Sequence, residues 1–240
     1  MVMHLIQSRG RAGVRLFATL LLFAAAFSVT PAVRSAMAQS EKPNGESAPS
    51  QPLKIVAFGD SLTAGYGLPA QDAFPAKLER ALKAKGYNVE IENAGVSGDT
   101  ASGGLSRIDW SIPDGTDAVI LELGANDMLR GIDPKVTREA LDAILVKLKE
   151  RNITVLLCGM RAAPNLGDDY IARFEAIFPD LAKKYDALLY PFFLDGVATQ
   201  TNLALRDGLH PNAAGVDAIV TGIMPKVEEL IARLQRKDRS

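Results

Sequence analysis

Two histidines occur in the 240 residues, in very different surroundings. His4 lies among the basic and apolar residues that start the chain, whereas His210 lies in Asp207-Gly208-Leu209-His210-Pro211. Imidazole chemistry in the rest of the chain must run through His210. Far upstream, Gly59-Asp60-Ser61-Leu62 follows the apolar run Ile55-Val56-Ala57-Phe58 and sets a serine at the end of an expected strand. A serine hydroxyl is a weak nucleophile near neutral pH and needs a base within hydrogen-bond reach. The imidazolium that forms on attack needs a carboxylate to fix its tautomer. Asp207, on the same short loop as His210, supplies one. Ser61, Asp207 and His210 therefore form a candidate catalytic set for acyl transfer through an acyl-serine. A free imidazole protonates near pH 6.5, so such an activity is expected to fall below about that value.

Two further clusters combine glycine with polar residues. They are Asn93-Ala94-Gly95-Val96-Ser97-Gly98-Asp99-Thr100 and Gly124-Ala125-Asn126-Asp127. Taken singly, all four clusters have plain readings: Gly59-Asp60-Ser61 a turn with a cap, Asp99 or Thr100 the start of a helix, Asn126 a turn residue, and Asp207-Gly208 a turn with His210 a surface residue. Asp60 adjoins Ser61, but neighbours in an extended turn point different ways. Its expected part is to accept backbone N–H bonds, and Asp127 is expected to brace Asn126. The single cysteine, Cys158, falls inside an apolar run and reads as a small buried hydrophobe rather than a nucleophile. One histidine and one cysteine do not make a zinc site, and no other metal or cofactor is implied.

The elements that must position these residues follow from hydrophobic periodicity. Expected strands are Lys54 to Phe58, Val89 to Asn93, Ala118 to Leu123, Thr154 to Cys158 and Ala187 to Tyr190. Expected helices run from about Ala73 to Lys85, Ala101 to Asp109, Lys135 to Arg151, Tyr170 to Lys184 and Ala213 to Arg236. In the last of these, Val216, Ile219, Val220, Ile223, Val227, Leu230 and Leu234 form one apolar stripe. Five short strands alternating with helices predict an α/β fold, a three-layer α/β/α sandwich around a five-stranded parallel sheet of flavodoxin-like form. In such sheets a site forms where the carboxyl ends of the strands meet the loops, so all four polar clusters are expected on one edge.

Residues 1–38 read as a secretory signal. Arg9, Arg11 and Arg15 precede the uncharged run Leu16 to Val29, and Ala36-Met37-Ala38 offers a small-x-small cleavage site. The run is short for a bilayer span, which needs about 20 residues, although a retained N-terminal anchor is the alternative. Residues 39–52 are polar and rich in Ser, Pro and Glu and read as a flexible linker; 53–240 form one domain. Removing the leader's four arginines leaves 23 basic against 28 acidic residues. That balance gives no electrostatic footprint for nucleic acid.

Together and in this order, the four blocks resemble those of the GDSL-type, or SGNH, hydrolase family, and in particular its secreted thioesterase, arylesterase and lysophospholipase branch. The resemblance runs from about Leu53 to Leu234 and takes in Leu121-Glu122-Leu123-Gly124-Ala125-Asn126-Asp127, Leu129-Arg130-Gly131 and Tyr190-Pro191-Phe192-Phe193. Ala125 stands where close relatives often carry glycine. The resemblance implies Ser61 as nucleophile, Asp207 and His210 as the base pair, and Ser61, Gly98 and Asn126 as the oxyanion hole. It implies small-molecule acyl ester or thioester substrates, transient contact with lipid, a monomer, no cofactor, and export to periplasm or medium. Loop residues available to an acyl chain are Leu62, Met128, Leu129 and Leu209, with Ile132, Met160, Phe192 and Phe193 further choices. Gly131 could let the loop after Asn126 move over a bound chain. The alternatives are a carbohydrate O-deacetylase of the same fold and a non-catalytic lipid-binding protein. A phosphate-binding redox module is disfavoured, because the loop after the first strand lacks a phosphate-cradling glycine pattern.

Overall fold

The apolar runs with no polar alternation become the centre of a sheet covered on both faces. The structure is a computed structural model, and it describes residues 51–237. The leader 1–38, with His4, and all of the linker but Gln51 and Pro52 lie outside the described residues. Strands β1 (Leu53–Gly59), β2 (Val89–Gly95), β3 (Ala118–Glu122), β4 (Thr154–Cys158) and β5 (Leu188–Tyr190) pair in the order β2-β1-β3-β4-β5, all parallel. Every residue of β3 is buried, as a central strand with helices on both sides requires. The α/β three-layer expectation holds. The chain runs from β1 outward to β2 and then returns to the other side of β1 as β3. The β1–β3 boundary is thus the point where the strand order reverses, the place where such sheets open a crevice.

Helices α1 (Ser61–Ala64), α2 (Phe74–Ala84), α3 (Ala101–Ser111), α4 (Ala125–Leu129), α5 (Pro134–Glu150), α6 (Asp168–Glu175), α7 (Ile177–Tyr185) and α8 (Ala213–Lys237) follow in chain order. α2 and α8 pack together over one face; α3, α5 and α7 pack in a row over the other. α5 shows why these segments are helical. Asp133 caps it by accepting from the Lys135 N–H, Pro134 takes the first position, and Thr137, Ala140, Leu141, Ile144, Leu145 and Leu148 make its buried stripe. In α8, Val216, Ile219, Val220, Ile223, Val227, Leu230 and Leu234 are all buried, as their spacing predicts.

One expected helix differs. The segment from Tyr170 to Lys184 is two helices, α6 and α7, meeting at Ala176. Pro179 accounts for the break: it has no N–H to give the Glu175 carbonyl, and its ring crowds that carbonyl, so it is tolerated only in a first turn. Among the described residues no helix is long and apolar enough to cross a membrane.

Candidate active site

Register brings the site together before any side chain is considered. Gly59 at the end of β1 sits opposite Gly95 of β2 on one side and Glu122 of β3 on the other. A Cβ at Gly59 would lie 2.6 Å from the Glu122 carbonyl oxygen and 2.6 Å from its carboxylate Oε2. Only glycine lets β1 turn this sharply against β3. The turn leads into α1, whose cap is Asp60: its Oδ1 accepts from the Leu62 N–H at 2.9 Å. Ser61 begins the helix.

The loop before α8 comes to the same edge. Leu205 N–H bonds to the His210 carbonyl at 2.7 Å and Asn212 N–H to the Leu203 carbonyl at 2.8 Å, closing the segment into a narrow loop. Asn212 then accepts from the Gly215 N–H through Oδ1, and its Nδ2 donates to the Asn202 carbonyl. At the tip, Asp207 Oδ1 accepts from the N–H groups of Leu209 at 2.9 Å and His210 at 3.0 Å, leaving Oδ2 to take His210 Nδ1 at 2.7 Å. His210 Nε2 lies 2.9 Å from Ser61 Oγ, across 149 positions of sequence.

Electrostatics fix the proton positions. The His210 and Leu209 N–H groups, followed by the imidazole, hold the Asp207 carboxyl down at about 2. It is therefore ionised near neutrality and can only accept. Nδ1 must then carry the ring proton of a neutral His210, and the Nε2 lone pair faces the Ser61 hydroxyl. Tyr66 covers the ring, with centroids 4.5 Å apart. This neighbour was not foreseen; its proximity depends on the tight turn in which the Tyr66 N–H bonds the Ser61 carbonyl.

Gly98 and Asn126 arrive from β2 and β3. Gly98 adopts φ +87°, a conformation side chains rarely take, and its carbonyl accepts from Arg130 at 2.6 Å. Among the described residues no protein hydrogen bond engages the N–H of Ser61 or of Gly98. Asn126 Nδ2 donates one hydrogen to Asp60 Oδ2 at 2.9 Å and keeps its second.

Asp60 accepts a backbone N–H, as expected, and its bond to Asn126 is additional. Asp127 does something else. It is fully buried, with Oδ2 accepting from the Ala101 N–H and Oδ1 from Thr137 Oγ1, so it ties the start of α3 to α5 and does not touch the Asn126 side chain. Burial raises its carboxyl. Thr100, not Asp99, caps α3. Asp99 instead pairs with Arg107, whose buried guanidinium also reaches the Gly59 and Ala94 carbonyls and lies 4.1 Å over the Phe58 ring. Cys158 is buried in β4 and its thiol is pushed well up by burial and then by Glu122, the state of an unreactive thiol.

Residues singled out for an acyl chain divide sharply. Leu129 and Leu209 are each 55% exposed, and Met128 is half-buried. Leu62 is turned inward, 6% exposed in the core, because the second residue of α1 faces the sheet when Ser61 faces the edge. Met160 and Phe193 are core residues as well. These three offer a substrate no surface.

The most unexpected group is Glu122. It is fully buried; Oε2 takes Thr63 Oγ1 at 2.7 Å and the Asp60 N–H at 3.3 Å. Burial, and after it the charge of Asp60, raise its carboxyl well above the usual range, while burial lifts Asp60 to about 6 against the bonds from Leu62 and Asn126.

Comparisons with known proteins bear on the family. The family model for the GDSL-like lipase/acylhydrolase family matches residues 57–218. An arylesterase of Vibrio mimicus is 40% identical over 159 residues, 66% of this chain and 80% of that protein. The thioesterase 1/protease 1/lysophospholipase L1 of Escherichia coli (strain K12) is 36% identical over 178 residues, 74% of this chain and 84% of that protein. The crystal structure of AlinE4, an SGNH-hydrolase family esterase, superposes with a TM-score of 0.65 at 48% identity, covering 76% of this chain and 98% of that one. With the matched region running from within β1 into α8 and taking in all four polar clusters, the chain belongs to the GDSL-like lipase/acylhydrolase family, the SGNH hydrolases.

Proposed function

We propose that this protein, an ester hydrolase by family, cleaves acyl esters and thioesters through a covalent acyl-enzyme on Ser61. The observation that carries the reading is the unbroken relay Ser61 Oγ–His210 Nε2 at 2.9 Å and His210 Nδ1–Asp207 Oδ2 at 2.7 Å. On attack, Ser61 Oγ bonds to the acyl carbon while its proton passes to Nε2. The oxyanion is taken by the Ser61 and Gly98 N–H groups and the second hydrogen of Asn126 Nδ2. Collapse breaks the carbon–oxygen or carbon–sulfur bond, and the imidazolium returns the proton to the leaving alcohol or thiol. Water then attacks the acyl-serine with His210 as base, releasing the carboxylic acid and restoring the hydroxyl. Each step uses only this chain's groups and water.

Tyr66, Leu129 and Leu209 are exposed apolar side chains on the segments that follow Ser61, follow Asn126 and precede His210, which suits the acyl portion of a lysophospholipid or aryl ester and a transient contact with lipid. The basic and apolar leader supports export with cleavage near Ala38, to periplasm or medium, and the enzyme acts as a monomer. Incubation of the mature protein with a fluorophosphonate, followed by peptide mass mapping, tests the reading. An adduct on Ser61 that is lost in Ser61→Ala is the expected result, and an adduct at another residue overturns it. A panel of p-nitrophenyl esters, lysophospholipid, acyl thioester and an acetylated sugar assigns the substrate class. Preference for the sugar would replace the present reading with a deacetylase.

A further inference from the structure

Among the described residues, Glu122 Oε1 is the only buried side-chain oxygen or nitrogen without a hydrogen-bond partner. Its companion carboxyl, Asp60, is equally buried, and among the described residues no lysine or arginine pairs with either. A bare ionised oxygen away from water is strongly unfavourable, and a second ionised carboxylate beside it more so. The two groups therefore hold a proton between them.

Which carboxyl keeps that proton decides how Asn126 is turned. Asp60 spends Oδ1 on the cap of α1 and Oδ2 on Asn126 Nδ2. An ionised Asp60 is acceptor-only, so the nitrogen end of the amide must face it, and the same nitrogen is then available to an oxyanion. A protonated Asp60 would donate at Oδ2. Asn126 would answer with its carbonyl oxygen, setting an acceptor where the hole needs a donor.

We propose that Glu122 is a positioning residue of this hydrolase: held as a neutral acid beneath the Ser61 turn, it leaves the single negative charge on Asp60 and so fixes the Asn126 amide in its donating orientation. The proposal rests on the reading of Ser61 and Asn126 given above. Thr63 completes the arrangement, because its hydroxyl ties α1 to the same carboxyl. The missing Cβ at Gly59 leaves room for that carboxyl between the strands.

The test compares Glu122→Gln, which keeps the shape and neutrality, with Glu122→Leu, which removes the polar atoms. Folding is checked by circular dichroism and ester kinetics are measured near pH 7.5. Glu122→Gln should keep kcat within about twofold, and Glu122→Leu should lower it at least about tenfold with KM little changed, since a misturned oxyanion donor weakens the transition state alone. A folded Glu122→Leu with parental kcat overturns the proposal, as does a Glu122→Gln that loses as much as Glu122→Leu. Should Glu122→Leu not fold, infrared difference spectra of parent minus Glu122→Gln decide: a protonated carboxyl stretch near neutral pH supports the proposal, and carboxylate bands alone overturn it. The fluorophosphonate adduct on the parent is read in parallel. Its absence from Ser61 strikes at the reading of the nucleophile, while the spectra report on the Glu122 proton independently.

Discussion

The two halves of the site are built in opposite ways. The serine half is dry: Gly59, Asp60, Ser61, Thr63 and Glu122 are all buried where β1 meets β3. Each is held by partners from elsewhere in the chain or by the packing of strands. The histidine half is an exposed loop, and Asp207 secures it with three bonds inside four residues. The carboxyls record the contrast. Burial lifts Asp60 to about 6, whereas local N–H donors hold Asp207 down at about 2. One half is positioned by the sheet and the other by its own turn, so damage to each should show differently.

The largest effects fall on the atoms that bridge the halves. Ser61→Ala and His210→Ala should each lower kcat by more than about 10³-fold in ester assays, with melting temperatures close to the parent's. Asn126→Ala, on the buried side, should cost about 2.7 to 4 kcal/mol of transition-state stabilisation, roughly a hundredfold or more in kcat. Parental turnover in that variant would remove Asn126 from the hole. Gly59→Ala should act on stability first, because the new methyl overlaps the Glu122 carbonyl and carboxylate. A loss of about 1 to 3 kcal/mol by denaturant unfolding is expected.

The subtlest prediction uses pH to separate the halves. Asp60 and Glu122 have folded values above their unfolded ones, so the native state holds more protons than the unfolded state. Stability should therefore fall as pH rises from about 4 through about 6 for Asp60, and further for Glu122. Glu122→Gln removes part of that slope, and its melting temperature should gain on the parent's between about pH 5 and 8. Asp207 runs the other way: its contribution is present above about 3.8 and is lost as pH falls through about 2. Parallel melting curves for parent and Glu122→Gln across that range would contradict the shared-proton arrangement.

How much of this could be read beforehand follows the same division. Ser61, Asp207 and His210 are legible as a set: singly, Gly59-Asp60-Ser61 reads as a capped turn and His210 as a surface residue, and only the four polar clusters in this order make a catalytic pattern. The central strands are legible because buried parallel strands are written as apolar runs, and β2 at the edge by its alternation of Val89 and Ile91 with Glu90 and Glu92. Glu122 lies inside the expected strand Ala118 to Leu123, and a polar residue near a strand end gives no sign of which groups it will face. Only the register opposite Gly59 draws it beneath the turn. Arg107 was hidden for a related reason: a helical arginine about two turns beyond the nearest polar cluster gives no sign of reaching two strand ends. Leu62 misled because neighbours of a nucleophile look like substrate contacts, while a helical turn of about 100° per residue sends the next side chain inward. The division of α6 from α7 is legible at Pro179, which cannot continue a helix begun at Tyr170.

Arg107 also separates what is free to vary from what is not. Its guanidinium pins the tips of β1 and β2 and the Asp99 carboxylate to one plate, with Phe58 as its floor. The hydroxyl and the glycine amide thereby keep their spacing whatever happens at the outer rim. Leu129 and Leu209 hang on loops outside this plate. Exchanging them for larger, smaller or charged residues would retune which acyl chains are welcome while the reacting centre keeps its dimensions, so a laboratory search for new ester preferences should begin there.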